Sequence, residues 1–203
     1  NNNGAYLLSL IQGYLDRDIP VGVVNIDSPW ETAYNTFVFN PDTYPNARDM
    51  IDDFHDKKIK VIVWITSLIN ARSENDPATG KAPTYDYAKN MDYFINNGQT
   101  YLWWKGWGSF IDYTNPDALN WWHGQMHQVL NMGIDGWKTD AGSRLFPDTT
   151  KCYNGTITKK EYSHLYYQDF FEYTRKVRGD SIILFSKPFD EKPADSTYVP
   201  VNY

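Results

Sequence analysis

The chain is poor in features that mark several functional classes. It holds one cysteine, Cys152, so no internal disulfide framework can form, and the polar loop around that residue lacks the partners of a nucleophilic thiol. The formal net charge is -6 and no basic tract is present, so a surface that follows a nucleic-acid backbone is not expected. No apolar run approaches the ~18 residues of a membrane span. No phosphate-cradling glycine loop follows the first predicted strand, and no Gly-x-Ser-x-Gly elbow occurs, which disfavours nucleotide binding and serine-hydrolase chemistry. The first four residues, Asn1 to Gly4, have neither the basic start nor the apolar core of a signal peptide and read as an internal cut or a processed start.

Aromatic residues are abundant instead. Eight tryptophans and sixteen tyrosines exceed what a core usually requires, and several lie in polar, glycine-broken segments where sugar faces could stack. Others are expected to pack between helices and sheet.

Apolar spacing predicts a helix over Ala5 to Asp16 through Leu7, Leu8, Ile11 and Leu15. Pro20 stops it, and Val21 to Asp27 is a β-rich run that places Val23, Asn25 and Asp27 on one face. A second helix, capped by Asn46, turns Met50, Ile51 and Phe54 inward, and Lys60 to Thr66 follows as a buried strand. This is a βαβ unit whose near-continuous apolar strands imply a parallel sheet covered on both faces. A loop-rich passage from Asn70 to Pro83 precedes a short helix over Tyr85 to Asn96, and Tyr101 to Gly108 reads as strand running into loop. Asn115 and Pro116 open a helix to Met132 as cap and first helical residue. Lys159 to Val177 is the last helix, and Ser181 to Lys187 a fourth strand. One α/β domain, or part of one, accounts for this alternation.

The chain is organised around Gly133 to Asp140, a helix exit followed by a short buried strand. Alternation turns Lys138 and Asp140 to one face, Trp137 and Thr139 to the other. A cation two residues earlier on the same face favours the charged carboxylate and would hold Asp140 ionised, as suits a nucleophile. A structural ion pair closing one layer of side chains is an equal alternative. Three predicted strands end in charge, at Asp27, Asp140 and Lys187, and parallel strands bring such ends to one rim. With Trp30, Trp64 and the cluster from Trp103 to Trp107 they describe a polar pocket with aromatic walls.

Two residue patterns could suggest a metal site. His123 and His127 are four apart on a helix, but Gly124 stands where the zinc-protease pattern needs glutamate. A magnesium site from Asp27, Asp112 and Asp140 would be opposed by Lys138 and Lys187. No metal and no cofactor is assigned. Asn154-Gly155-Thr156 forms a glycosylation sequon of the kind that arises often by chance.

These segments resemble glycoside hydrolase family 31, the retaining α-glycosidases. GIDGWKTD is similar to the family's nucleophile strand, IPVGVVNIDSPW to an early substrate-binding strand, and KIKVIVWIT to the strand after it. WKGWGSFIDYTNPDALNWW resembles the stretch ahead of the nucleophile, and ILFSKP the strand that carries a substrate-contacting arginine. DSPWETAYNTF is more similar to the branch of α-galactosidases and α-N-acetylgalactosaminidases than to the starch-type α-glucosidases. The resemblance implies a (β/α)8 TIM barrel, about half of it carried by residues 1–203. It further implies an exo-acting retaining hydrolase that cleaves a terminal α-linked galactose, N-acetylgalactosamine, glucose or xylose from an oligosaccharide or glycoconjugate. Asp140 would be the nucleophile and Asp27 would accept hydrogen bonds from sugar hydroxyls. Lys138 would lie against the nucleophile, and Trp30, Trp64, Trp104 and Lys187 would complete the substrate site.

Two departures stand out. Ala141 to Arg144 lacks the glutamate that often follows the family's nucleophile, and Lys187 replaces an arginine, trading a bidentate fork for a point charge. The family's general acid/base lies on the strand after the one resembling ILFSKP. It is therefore expected beyond Tyr203, in the remainder of the chain's own polypeptide. Two rivals from other classes are a non-catalytic carbohydrate-binding relative, which would lack that downstream aspartate, and a metal-assisted barrel enzyme, which chelation would inactivate.

Overall fold

A computed structural model describes residues 3–72, 80–140 and 145–186. Helix α1 (Gly4–Leu15) starts where the Asn3 side chain accepts the Tyr6 amide at 2.8 Å. Strand β1 (Val23–Ile26), helix α2 (Ala47–Asp56) and strand β2 (Lys60–Ile65) form the predicted βαβ unit, with Met50, Ile51 and Phe54 of α2 buried. Strand β3 (Leu68–Arg72), the short helix α3 (Tyr85–Asn90), a 3-10 turn over Ile95–Gly98, and strands β4 (Tyr101–Trp103) and β5 (Gly106–Phe110) follow. Helix α4 (Pro116–Asn131) is capped by Asn115, whose side chain accepts from the amides of Asp117 and Ala118, with Pro116 in its first turn as expected. Strand β6 (Gly136–Thr139), the hairpin β7 (Thr149–Cys152) and β8 (Gly155–Thr158), helix α5 (Lys159–Arg178) and strand β9 (Ile183–Ser186) complete the described fold.

Strands β1, β2, β6 and β9 form one parallel sheet whose spatial order follows the chain order. That sequential order, with helices covering one face, is how strands wind in an α/β barrel. Trp137 shows the helix-facing side: it is fully buried, edge-on to Phe37 and Phe170, and donates its indole N–H to Thr174 Oγ1 at 2.7 Å. Gly136 permits the β6–β9 pairing, because a Cβ there would stand 1.8 Å from the Ile183 carbonyl oxygen. Asn25 and Val23 are exposed on the opposite face, alternating with buried Val24 and Ile26 as predicted.

The passage between β2 and α4 departs from the predicted simple alternation. Strands β3, β5 and β4 form a separate antiparallel sheet, so part of the expected loop after Asn70 and the aromatic stretch after Tyr101 are paired strands. Gly108 makes this possible: a Cβ there would fall 2.0 Å from Leu68 Cδ2. The helix predicted to reach Asn96 ends at Asn90, and Asn96 and Asn97 adopt left-handed backbone with φ of 49° and 55°. No helix among the described residues is long and apolar enough to cross a membrane.

Candidate active site

The C-terminal ends of the parallel strands bring together the residues that matter. Ile26 pairs with Val63, and Val63 with Trp137, so residue 27 lies level with Trp64 and Lys138, while Asp140 stands two residues higher. Lys138 Nζ therefore reaches sideways across β2 to Asp27 Oδ2, at 2.7 Å. Lys138 was expected beside Asp140, two residues along the same strand face; the ion pair it makes is with Asp27, at the end of the neighbouring strand but one. The ammonium is largely shielded, with 15% of its side chain exposed, whereas the Asp27 side chain is 51% exposed.

Asp140 has a different partner. Its Oδ2 accepts the indole N–H of Trp64 at 2.9 Å. Its amide donates to the Ile65 carbonyl at 2.9 Å, and its own carbonyl accepts the Tyr166 hydroxyl at 3.1 Å. Trp64 is buried, stacks on Trp103 with ring centroids 6.3 Å apart and planes 11° from parallel, and meets the edge of Tyr34. Trp103 is oriented in turn by donating to Asn70 Oδ1 at 2.7 Å. Trp104, in the turn between β4 and β5, is half exposed and contacts Trp103 at 5.1 Å between centroids. The inserted antiparallel sheet thus supplies an aromatic wall beside Asp140.

Trp30 differs from its expected place on the rim. It is fully buried against Phe39, and its indole N–H donates to the backbone carbonyl of Trp64 at 2.6 Å. Its position is that of a support behind Trp64, out of reach of a ligand on the rim. Lys187 and the run Ala141 to Arg144 lie outside the described residues.

Several supports carried no sequence signal of their own. Glu31 is buried in the loop after β1 and accepts the amides of Asn35 and Phe37 at 2.9 and 2.7 Å. Burial pushes its carboxyl up to about 8, against the pull of those backbone donors. Asn35, with left-handed backbone, donates to the Leu68 carbonyl and to Thr66 Oγ1, so it locks the loop to the end of β2. Tyr166 could have been suspected from its spacing of four from Tyr162 on one face of the last helix.

Asp112 does not join Asp27 and Asp140. It is buried, with Oδ1 accepting from the Thr114 amide and hydroxyl and Oδ2 from the Tyr153 amide at 2.6 Å, which ties the β7–β8 hairpin to the end of β5. Among the described residues, no group of three or more His, Cys, Asp or Glu side chains could hold a metal ion. His123 bonds Asp169 Oδ1 at 2.7 Å and stacks on Tyr173, and His127 meets the Tyr173 hydroxyl at 3.3 Å, so both histidines join α4 to α5. Burial and the neighbouring Asp112 push the Cys152 thiol up to about 12.

Residues 2–184 match the family model for the glycosyl hydrolases family 31 TIM-barrel domain. The chain is 27% identical over 191 residues to the α-xylosidase XylQ of Lactiplantibacillus pentosus, covering 89% of this chain and 24% of that protein. It is 28% identical over 146 residues to α-glucosidase 2 of Bacillus thermoamyloliquefaciens, covering 69% of this chain and 18% of the relative. The glucose complex of the Flavobacterium johnsoniae family 31 dextranase superposes with a TM-score of 0.78 at 18% identity, over 91% of this chain and 24% of that one. The chain thus spans about a quarter or less of the curated relatives' length. These relatives are named for xylose and glucose, and the finer resemblance to the α-galactosidase branch finds no support in them. With a parallel sheet wound in chain order, carboxylates at its C-terminal rim and a family match over nearly its whole length, the chain belongs to glycosyl hydrolase family 31, as a stretch of the family's TIM-barrel domain.

Proposed function

We propose that this chain is the nucleophile-bearing part of a retaining exo-α-glycosidase that releases a terminal α-linked xylose or glucose. The observation that carries this reading is the Trp64–Asp140 hydrogen bond at the rim. An indole donor on Oδ2 orients the carboxylate, leaving Oδ1 to attack the anomeric carbon. As the C1–Oδ1 bond forms, the glycosidic C1–O bond breaks and the departing oxygen takes a proton from the general acid. Water, deprotonated by the same group, then displaces Asp140 and frees the sugar with its original configuration.

The second carboxyl must stand roughly 5–5.5 Å across the bond, and we assign it to the remainder of the polypeptide. The Lys138–Asp27 pair offers donors and acceptors to adjacent sugar hydroxyls, as carbohydrate sites require. Trp104 is suited by its exposure to stack on a sugar face. The choice of xylose or glucose over galactose follows the relatives XylQ and α-glucosidase 2.

The test is chemical rescue in the complete enzyme. Asp140→Gly should lose turnover, and azide should restore consumption of an activated aryl α-glycoside, giving the β-glycosyl azide. Restored turnover without an inverted azide product, or activity undiminished by the substitution, would remove Asp140 from the nucleophile's role.

A further inference from the structure

We infer that Tyr166 is a positioning residue for the nucleophile, acting through the backbone of Asp140; the inference rests on the reading of Asp140 given above. Its hydroxyl lies 3.1 Å from the Asp140 carbonyl and 3.3 Å from that of Ile65, and donates toward both. The Ile65 carbonyl also accepts the Asp140 amide at 2.9 Å. Tyr166 therefore sits over the last rung between β2 and β6, where Trp64 and Asp140 diverge into the rim. A carboxylate on a strand end is aimed by its Cα–Cβ bond, and that direction is set by the dihedrals the two peptide groups of Asp140 allow. Holding its amide and its carbonyl together fixes those dihedrals before substrate arrives.

The tyrosine is itself immobile. It is fully buried on α5, with rings of Tyr113, Phe146, Tyr167 and Phe170 within 6.0 Å between centroids. The next residues on the same face do comparable jobs elsewhere. Tyr162, one turn earlier, donates its hydroxyl to the Ile111 carbonyl at 2.7 Å at the end of β5. Thr174, two turns later, accepts from Trp137 lower in the sheet. Helix α5 thus meets the rim through Tyr166, and Tyr162 supplies a matched control: a buried tyrosine on the same helix, bonded to a carbonyl away from Asp140.

Positioning of a nucleophile governs the attack step more than ground-state binding, since small misplacements cost orders of magnitude in rate. The experiment compares Tyr166→Phe and Tyr162→Phe in the complete enzyme, using 5-fluoro-α-glycosyl fluorides of xylose and glucose as inactivators. Tyr166→Phe should slow the limiting inactivation rate on the order of 10- to 100-fold while the inactivator's binding constant changes less than about twofold. Tyr162→Phe should lower the melting temperature comparably and leave the inactivation rate unchanged. Equal inactivation rates in wild type and Tyr166→Phe would overturn the inference, as would equal slowing in both variants. If the wild type itself never labels on Asp140, the reading of the nucleophile fails first, and the two failures are thereby told apart.

Discussion

Asp135 and Asp140 are the same residue type on either side of one short strand, and they have opposite surroundings. Asp135, before β6, is buried, and its carboxylate accepts from the Val61 amide at 2.8 Å and from His55 at 2.8 Å, with Lys60 and Arg178 at 3.7 and 3.6 Å. Its Oδ2 takes both hydrogen bonds and its Oδ1 faces the two cations, so the fold surrounds the carboxylate with positive partners. Asp140, beyond the other end, has its Oδ2 held by one indole donor beside an aromatic wall. Barrels of this kind carry stability at the N-terminal end of the sheet and chemistry at the C-terminal end, and among the described residues the partners of the two carboxylates differ in the same sense.

The largest effect expected is the loss of turnover in Asp140→Asn, by about 10³-fold or more, with thermal unfolding unchanged to within a degree or two. Asp135→Asn should do the reverse. It weakens three ionic contacts around a buried group and should cost about 2–3 kcal/mol of stability, while kcat of the folded enzyme stays near wild type. Melting curves and steady-state rates on both variants check the pair, and a destabilised Asp140→Asn would break the comparison.

Trp64→Phe sharpens it further. An aromatic ring remains, but the pyrrole half of the indole and its N–H are gone, so some packing against Trp103 is lost with some stability. Asp140 Oδ2 loses its donor, and in the folded enzyme kcat should fall roughly 10- to 100-fold with KM changing little. A drop confined to KM would mean that Trp64 acts on substrate alone.

The chain order of elements, the helix start at Asn115 and Pro116, and the carboxylates at the ends of β1 and β6 were all legible from apolar periodicity and capping residues. The facing of Trp137 away from Lys138 was equally legible, because alternation along a strand is a local property. What escaped depends on lateral register or on burial. Lys138 binds Asp27 because parallel pairing puts residues 27, 64 and 138 level, and no single strand reveals that. Trp30 looks like a rim aromatic in the sequence, yet the loop folds back through Glu31 and Asn35 and carries its ring into the core. The inserted antiparallel sheet was hidden because its strands are short and its closest contact depends on Gly108, which a sequence reading takes for a loop.

Glu31 extends the comparison to a third carboxyl, one held by backbone donors. Its folded value of about 8 lies above the ordinary 4.5, so the fold favours the neutral form. That contribution to stability is fully present below pH 4.5 and is lost as pH rises through about 8. Melting temperatures of wild type and Glu31→Gln between pH 5 and 9 should therefore differ in slope, the wild type falling more steeply; parallel slopes would contradict the assignment. The smallest effect concerns Cys152: buried and with its thiol pushed up to about 12, it should resist a disulfide reagent at pH 8 in the native enzyme and react after unfolding.

The central claim is that Asp140 becomes covalently bound to the sugar. Peptide mapping of the complete enzyme after exposure to 5-fluoro-α-xylosyl and 5-fluoro-α-glucosyl fluoride tests it directly. The predicted result is one added glycosyl mass on the peptide containing Trp137 to Asp140, localised to Asp140 by fragmentation. A stoichiometric adduct on any other carboxylate, Asp27 included, would contradict the account.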